Sequence, residues 1–166
     1  GKGGLKENKV IYRIFDVIVN LIRSVPFLIL IIVLMPYTKK FVGQSYGTKA
    51  TLVPLVVCAA PFIARIVENS LREVDDGVVE AARAMGADTF TIVTKVLLVE
   101  AKTSLLDGAT LAIGTILGYS AMAGIVGGGG LGDIATRYGY YRFDSGKMWI
   151  TVVLLVILVN ILQAIG

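Results

Sequence analysis

Long apolar runs alternate along this chain with shorter stretches rich in acids and bases. Four runs approach the roughly 20 helical residues needed to cross a hydrocarbon core about 30 Å thick. They cover residues 17–36, 51–67, 105–126 and 148–165. Asn20 and Arg23 lie near the start of the first, and Pro54, Pro61 and Arg65 lie in the second. The third carries no charge after Asp107, and the fourth carries none. A water-soluble bundle would need a polar face on every helix, and the last two runs have almost nothing to make one from. Prolines inside the second run are tolerable in a membrane bundle, where neighbouring groups satisfy the freed carbonyls. The pattern predicts an all-α, polytopic membrane helical bundle, with a charged excursion over residues 68–102 between the second and third spans.

Composition narrows the chemistry. Of 166 residues, 55% are hydrophobic and 17% charged, with a mean hydropathy of +0.78. The length is that of one domain, and the solvent it implies is lipid. A net charge of +4 is poor evidence for nucleic-acid binding when the bases sit in loops between spans. Cys58 is the only cysteine and histidine is absent. No disulfide framework is possible, and the commonest general base and metal ligand are missing. No P-loop or other phosphate cradle is present. No catalytic residue, metal or cofactor is expected in the chain.

Lys and Arg set the orientation. Lys2, Lys6, Lys9 and Arg13 near the N-terminus, with Arg65, Arg72, Arg83, Lys95 and Lys102, modestly outnumber Lys39, Lys40, Lys49, Arg137, Arg142 and Lys147 in the opposite loops. The first group is therefore expected in the cytoplasm. Tyr138, Tyr140, Tyr141, Phe143 and Trp149 cluster where the fourth span begins, as an aromatic belt at the outer interface would. Arg23, Arg65, Glu68, Glu100 and Asp107 lie toward the inward ends of the spans. Either they pair and reach to the interface, or they mark an ion path.

The charged excursion has its own internal logic. Asp75 and Asp76 precede a helix-prone stretch and can cap its free amides, with Glu80 close enough to favour the positive end of the dipole. Gly86 stands where a left-handed turn would end that helix. Asp88 and Thr89 offer a second cap, and Phe90, Ile92, Val93, Val96 and Leu97 follow as an amphipathic run. Two short helices joined at Gly86 are predicted. Ala81 and Ala82 form a small-residue patch that a partner could approach closely.

Further on, Gly108, Gly114, Gly118 and Gly124 punctuate the third span, and Gly114 and Gly118 form a small-xxx-small pair. The glycine run at 127–130 with Gly132 reads either as a flexible outer loop or as bent backbone near a pore mouth.

Glu80-Ala81-Ala82, three residues, Gly86, and then Val96-Leu97-Leu98-Val99 resemble the loop by which ABC-importer permeases dock on their ATPase. Ser120-Ala121-Met122-Ala123-Gly124, the glycine run with Leu131-Gly132-Asp133, Arg137-Tyr138-Gly139-Tyr140 and Arg23-Ser24-Val25-Pro26-Phe27 are similar to the permeases of D-methionine importers. Val99 and Thr103 stand where that family has proline. The family usually has another span ahead of residue 1, so a truncated or altered permease is the expectation. The resemblance implies a type I ABC-importer permease fold with cytoplasmic coupling helices, in a bacterial plasma (inner) membrane. Implied partners are an ATP-binding cassette ATPase subunit, an extracytoplasmic substrate-binding protein and a second permease copy. Glu80, Ala81, Ala82 and Gly86 would couple to the ATPase, and Tyr119, Ser120 and Met122 would line or gate the substrate path. ATP hydrolysis would lie on the partner. The alternative is an ion-coupled carrier using Asp107 or Glu100.

Overall fold

The structure, a computed structural model, describes residues 8–165; Lys2 and Lys6, two of the N-terminal bases, lie outside them. Among the described residues the regular structure is helical. Helix α1 spans Lys9–Ser24, and the Asn8 side chain accepts a hydrogen bond from the Ile11 amide at 3.1 Å. Its residues fall into a polar side with Arg13, Asp16 and Asn20 and an apolar side with Ile14, Ile18 and Leu21. Helix α2 spans Phe27–Val42. The sequence pattern joins residues 17–36 into one span, but α1 and α2 meet at a bend of 107°. Val25 is extended and Pro26 follows it, because a residue before proline is driven out of the α region. Pro36, inside α2, leaves that helix continuous.

Helix α3 spans Thr48–Arg72 and contains both Pro54 and Pro61. The charged excursion follows as α4, Asp76–Ala84, and α5, residues 89–100. Within α5, Thr89–Thr91 and Leu98–Glu100 flank a π-helical stretch, Ile92–Leu97. Regular hydrogen bonding breaks at Ala101, where ψ is 0°, and α6 then runs Lys102–Ile125. The break next to the third span thus forms with Val99 and Thr103 in place of proline. Helix α7, residues 130–140, folds back on α6 and comprises Gly130–Ile134 and a π-helical Ala135–Tyr140. Helix α8 spans Ser145–Ile165.

The stretches Thr48–Arg72, Lys102–Tyr140 and Ser145–Ala164 are long and apolar enough to cross a membrane, and the bent α1–α2 pair makes a fourth candidate. Phe27, Leu30, Ile31, Cys58 and Ala123 form the buried core where α2, α3 and α6 meet. Little else is covered: only 6% of the apolar window of α8 is buried within the chain. The rest of that surface requires lipid or another protein.

Close approach between backbones fixes the far end of the bundle. A β-carbon on Gly132 would collide with the Ala121 carbonyl, and one on Gly124 would collide with the Asp133 amide. The turn of α2–α3 meets the turn of α6–α7 there, with the Gly47 amide donating to the Gly127 carbonyl at 3.1 Å. Gly118, half of the expected small-residue pair, is exposed and has open space where a β-carbon would stand. Gly132→Ala should therefore cost about 1–3 kcal/mol, because rigid backbone cannot yield to the added methyl. Gly118→Ala should be neutral or slightly stabilising, as expected for glycine replaced in an open helical position. Thermal unfolding in detergent checks both, and a Gly132→Ala variant that melts like the wild type would refute the close approach.

Candidate functional site

The charged excursion folds as two capped helices. The Asp75 carboxylate accepts from the Gly77 amide at 2.7 Å and starts α4. Two hydrogen bonds stop it: Gly86 amide to Arg83 carbonyl at 2.9 Å, and Ala87 amide to Ala82 carbonyl at 3.0 Å. That pair of bonds requires a left-handed residue between them, and Gly86 supplies it with φ +84°. Asp88 then caps α5, accepting from the Thr91 amide at 3.3 Å. Bonds from the Thr91 hydroxyl and then its amide hold the Asp88 carboxyl below its ordinary pKa. A lowered folded pKa means this cap stabilises at neutral pH and weakens as the pH falls through the acid range.

Periodicity sorts the residues of α4. Ala82 is buried at 5% exposure, α4 packs against the π-helical part of α5, and Ile92 there is also buried. Ala82 thus faces its own chain, which corrects the picture of Ala81 and Ala82 as one outward patch. Val78, Ala81 and, just past the helix end, Met85 form an exposed stripe that borders the Ala82 face, and Glu80, nearly opposite Ala82, is exposed as well. Met85 is 82% exposed and Phe90, just past the turn, 74%. Sequence reasoning does not single out either as an exposed apolar residue beside the turn. The available signal is two large apolar side chains flanking Gly86 in an otherwise charged stretch.

A polar network joins α1 to the end of α3 that carries α4. Arg65 donates to the Asp16 carboxylate at 2.6 Å, the Glu68 carboxylate at 2.9 Å and the Asn20 side-chain amide oxygen at 3.0 Å. Arg72 donates to Glu68 at 2.8 Å and to the Tyr12 hydroxyl at 3.0 Å. Arg65 and Glu68, two of the charges near the spans, are therefore engaged in pairing. Glu100 and Asp107 instead line a cavity of about 790 Å³ between α3 and α6, with Ser70 and Ser104 hydrogen-bonded at 3.0 Å in its wall. Among the described residues no group of three or more acids or cysteines is arranged to hold a metal ion.

The residues expected along a substrate path separate by burial. Tyr119 stacks on Phe27 with ring centroids 4.7 Å apart and packs against the core. Ser120 and Met122 are exposed, Met122 at 43%. The structure does not gather these three with the α4 residues; they lie toward opposite ends of α6 and its neighbours.

Residues 2–165 match the family described as "Binding-protein-dependent transport system inner membrane component". The probable D-methionine transport system permease protein MetI of Vibrio cholerae is 51% identical over 165 residues, 99% of this chain and 73% of that protein. The methionine import system permease protein MetP of Bacillus subtilis is 46% identical over 165 residues, 99% of this chain and 74% of that one. A solved chain of the MetNI methionine ABC transporter in an inward-facing conformation superposes with a TM-score of 0.94 at 50% identity, covering 99% of this chain and 76% of that chain.

The polar network makes a stability prediction. Arg65→Met would strip Asp16 of its cation and leave Glu68 paired with Arg72 alone. A loss of about 1–3 kcal/mol is expected from the stranded, half-buried partners. Asp16→Asn should cost less, since Glu68 and Asn20 still hold the guanidinium. Detergent-solubilised melting curves that rank these variants in the reverse order would refute the account.

Proposed function

The chain belongs to the family of binding-protein-dependent transport system inner membrane components, and on that footing we propose that it is the membrane-spanning permease of an ATP-driven methionine importer. The observation that carries this reading is the 50% identity and near-complete superposition on the MetNI methionine transporter. The chain forms the substrate path and works with a separate ATPase subunit, an extracytoplasmic binding protein and a second permease copy. Hydrolysis takes place on the ATPase, and the permease performs no chemistry on the substrate.

We infer the division of labour from the geometry. Helix α4 enters a cleft on the ATPase through its exposed face of Val78, Ala81 and Met85, with Phe90 beside it. Glu80 lies farther round the helix, nearly opposite Ala82. Gly86 holds the turn that fixes the angle between α4 and α5, and Ala82 lets the two helices pack. Movement of the ATPase then reaches α3 and α6 through the short connections at 73–75 and at Ala101. Met122, exposed and flexible, suits a gate that seals against its copy and yields when the copies separate. Ser120 lines the same path, and Tyr119 supports it from within the chain.

Two outcomes test the proposal. A single cysteine at Asp76 should be labelled from the cytoplasmic side and one at Asp133 from the other side; labelling from the same side would mean a span is miscounted. In proteoliposomes with the ATPase and binding protein, Met85→Asp and Gly86→Leu should each lower ATP-dependent methionine uptake at least about tenfold, as loss of an interface anchor does. Both variants should still insert and melt cooperatively. Normal uptake by both would remove α4 from the docking role.

A further inference from the structure

The end of the bundle away from α4 carries a local surplus of positive charge. Its two loop regions, residues 36–50 and 126–150, hold six Lys and Arg against Asp133 and Asp144. Residues 65–107, around α4, hold five bases against eight acids. Orientation follows the count of Lys and Arg alone and is met by the cytoplasmic bases; the far end nonetheless keeps six bases with few acids to neutralise them.

Part of that charge is held in a built arrangement. The Arg142 guanidinium lies 5.0 Å from the Tyr138 ring centroid and the Lys147 ammonium 5.1 Å from the same ring. Lys147 also pairs with Asp144 at 2.9 Å. Arg142 makes no ion pair among the described residues. Next to it Phe143 adopts φ +54°, a conformation that penalises any residue with a β-carbon. Its ring gains no packing in return, because it is 87% exposed. Just ahead of it in the chain, Tyr140 and Tyr141, each 68% exposed, stand edge to face with each other, ring centroids 5.3 Å apart. Arg142 and Phe143 lie in the turn between α7 and α8, whereas Trp149 sits on α8 itself, where an interfacial belt residue belongs.

We propose that Arg142 and Phe143 centre a cationic, aromatic docking patch for an acidic face of the extracytoplasmic binding protein. The inference rests on the importer reading and on the family's dependence on a binding protein. Exposed aromatics beside an unpaired arginine have the composition of interface anchors. A net positive end steers an acidic partner toward the pore mouth and sets its register. The strained Phe143 backbone then has a use, since it holds the ring clear of the bundle for a pocket on the partner.

The test uses the complete transporter in proteoliposomes and its purified binding protein. Binding is read by co-sedimentation, and function by binding-protein-stimulated ATP hydrolysis. Arg142→Glu should weaken binding about tenfold and flatten its salt dependence, with hydrolysis in the absence of binding protein unchanged. Phe143→Gly relieves the backbone, so it should fold at least as well as the wild type and still bind more weakly. Wild-type affinity in both variants overturns the patch. So does a loss that appears only in vesicles containing anionic lipid and vanishes in pure phosphatidylcholine, which would assign the patch to lipid headgroups. A wild-type transporter that shows no ATP-dependent uptake sinks the importer reading, and this inference with it. A wild type that transports, with variants that bind normally, sinks the patch alone.

Discussion

Every backbone amide and carbonyl that lies in lipid must find its partner inside the protein, and this requirement governs the whole structure. It forces the apolar runs into helices. It also explains why irregular backbone is sparse: the turn at Gly86 and the glycine-rich turn before α7 lie at helix ends, and the bend at Val25 and Pro26 breaks the one bent candidate span. Hydrophobic burial cannot then hold the helices together, because hydrocarbon surrounds them on the outside as well. Packing must do it, and packing needs small residues where backbones meet. Gly124 and Gly132 provide this at the α6–α7 contact, and Phe27, Ile31, Cys58 and Ala123 fill the core where α2, α3 and α6 converge.

Polar contacts do a different job in this fold. The Arg65 network gathers most of the close ion pairs at one place, tying α1 across to α3. Its groups are half-buried, so they feel less screening than surface pairs and leave costly partners behind when broken. The network sits at the base of the helix that leads directly into α4. Any displacement of α4 would therefore meet a joint that is stiff on one side, where α1 is pinned. On the α5 side the chain passes through a π-helical stretch and the break at Ala101. Such breaks are common where a helix must adjust. The two connections from α4 into the bundle are thus mechanically unequal.

Charge is also distributed unequally along the bundle axis. The segment around α4, residues 65–107, holds more acids than bases, whereas the loops at the opposite end hold more bases than acids. An importer whose two faces meet different proteins has reason to keep those faces chemically distinct, since unlike surfaces suppress the wrong encounter. The sparse burial of α8 adds a third kind of surface, apolar and uncovered, consistent with a chain that works in a larger assembly.

Much of this was legible in the sequence, because the physics involved is local. A charge-free run of lipid length, an Asp just before a free amide, and a glycine after a short helix each act within a few residues. The caps at Asp75 and Asp88 and the left-handed Gly86 follow from such patterns. Other features depended on what the chain brings together from a distance. Hydropathy averages over residues 17–36, so it cannot register a sharp bend within an apolar run, although the Val25-Pro26 pair carried the signal. Nor does composition tell which side of α4 faces home: Ala81 and Ala82 look alike until α5 packs over one of them. The same holds for Gly118, open to the outside, and Gly132, pressed against a carbonyl, whose different roles are set by helix contacts alone. Asp16 and Arg65 are 49 residues apart, and only the folding of α1 across α3 makes them a pair. Sequence determined the helices, their ends and the solvent they require; the direction each face points was decided by packing, because it depends on which neighbour arrives.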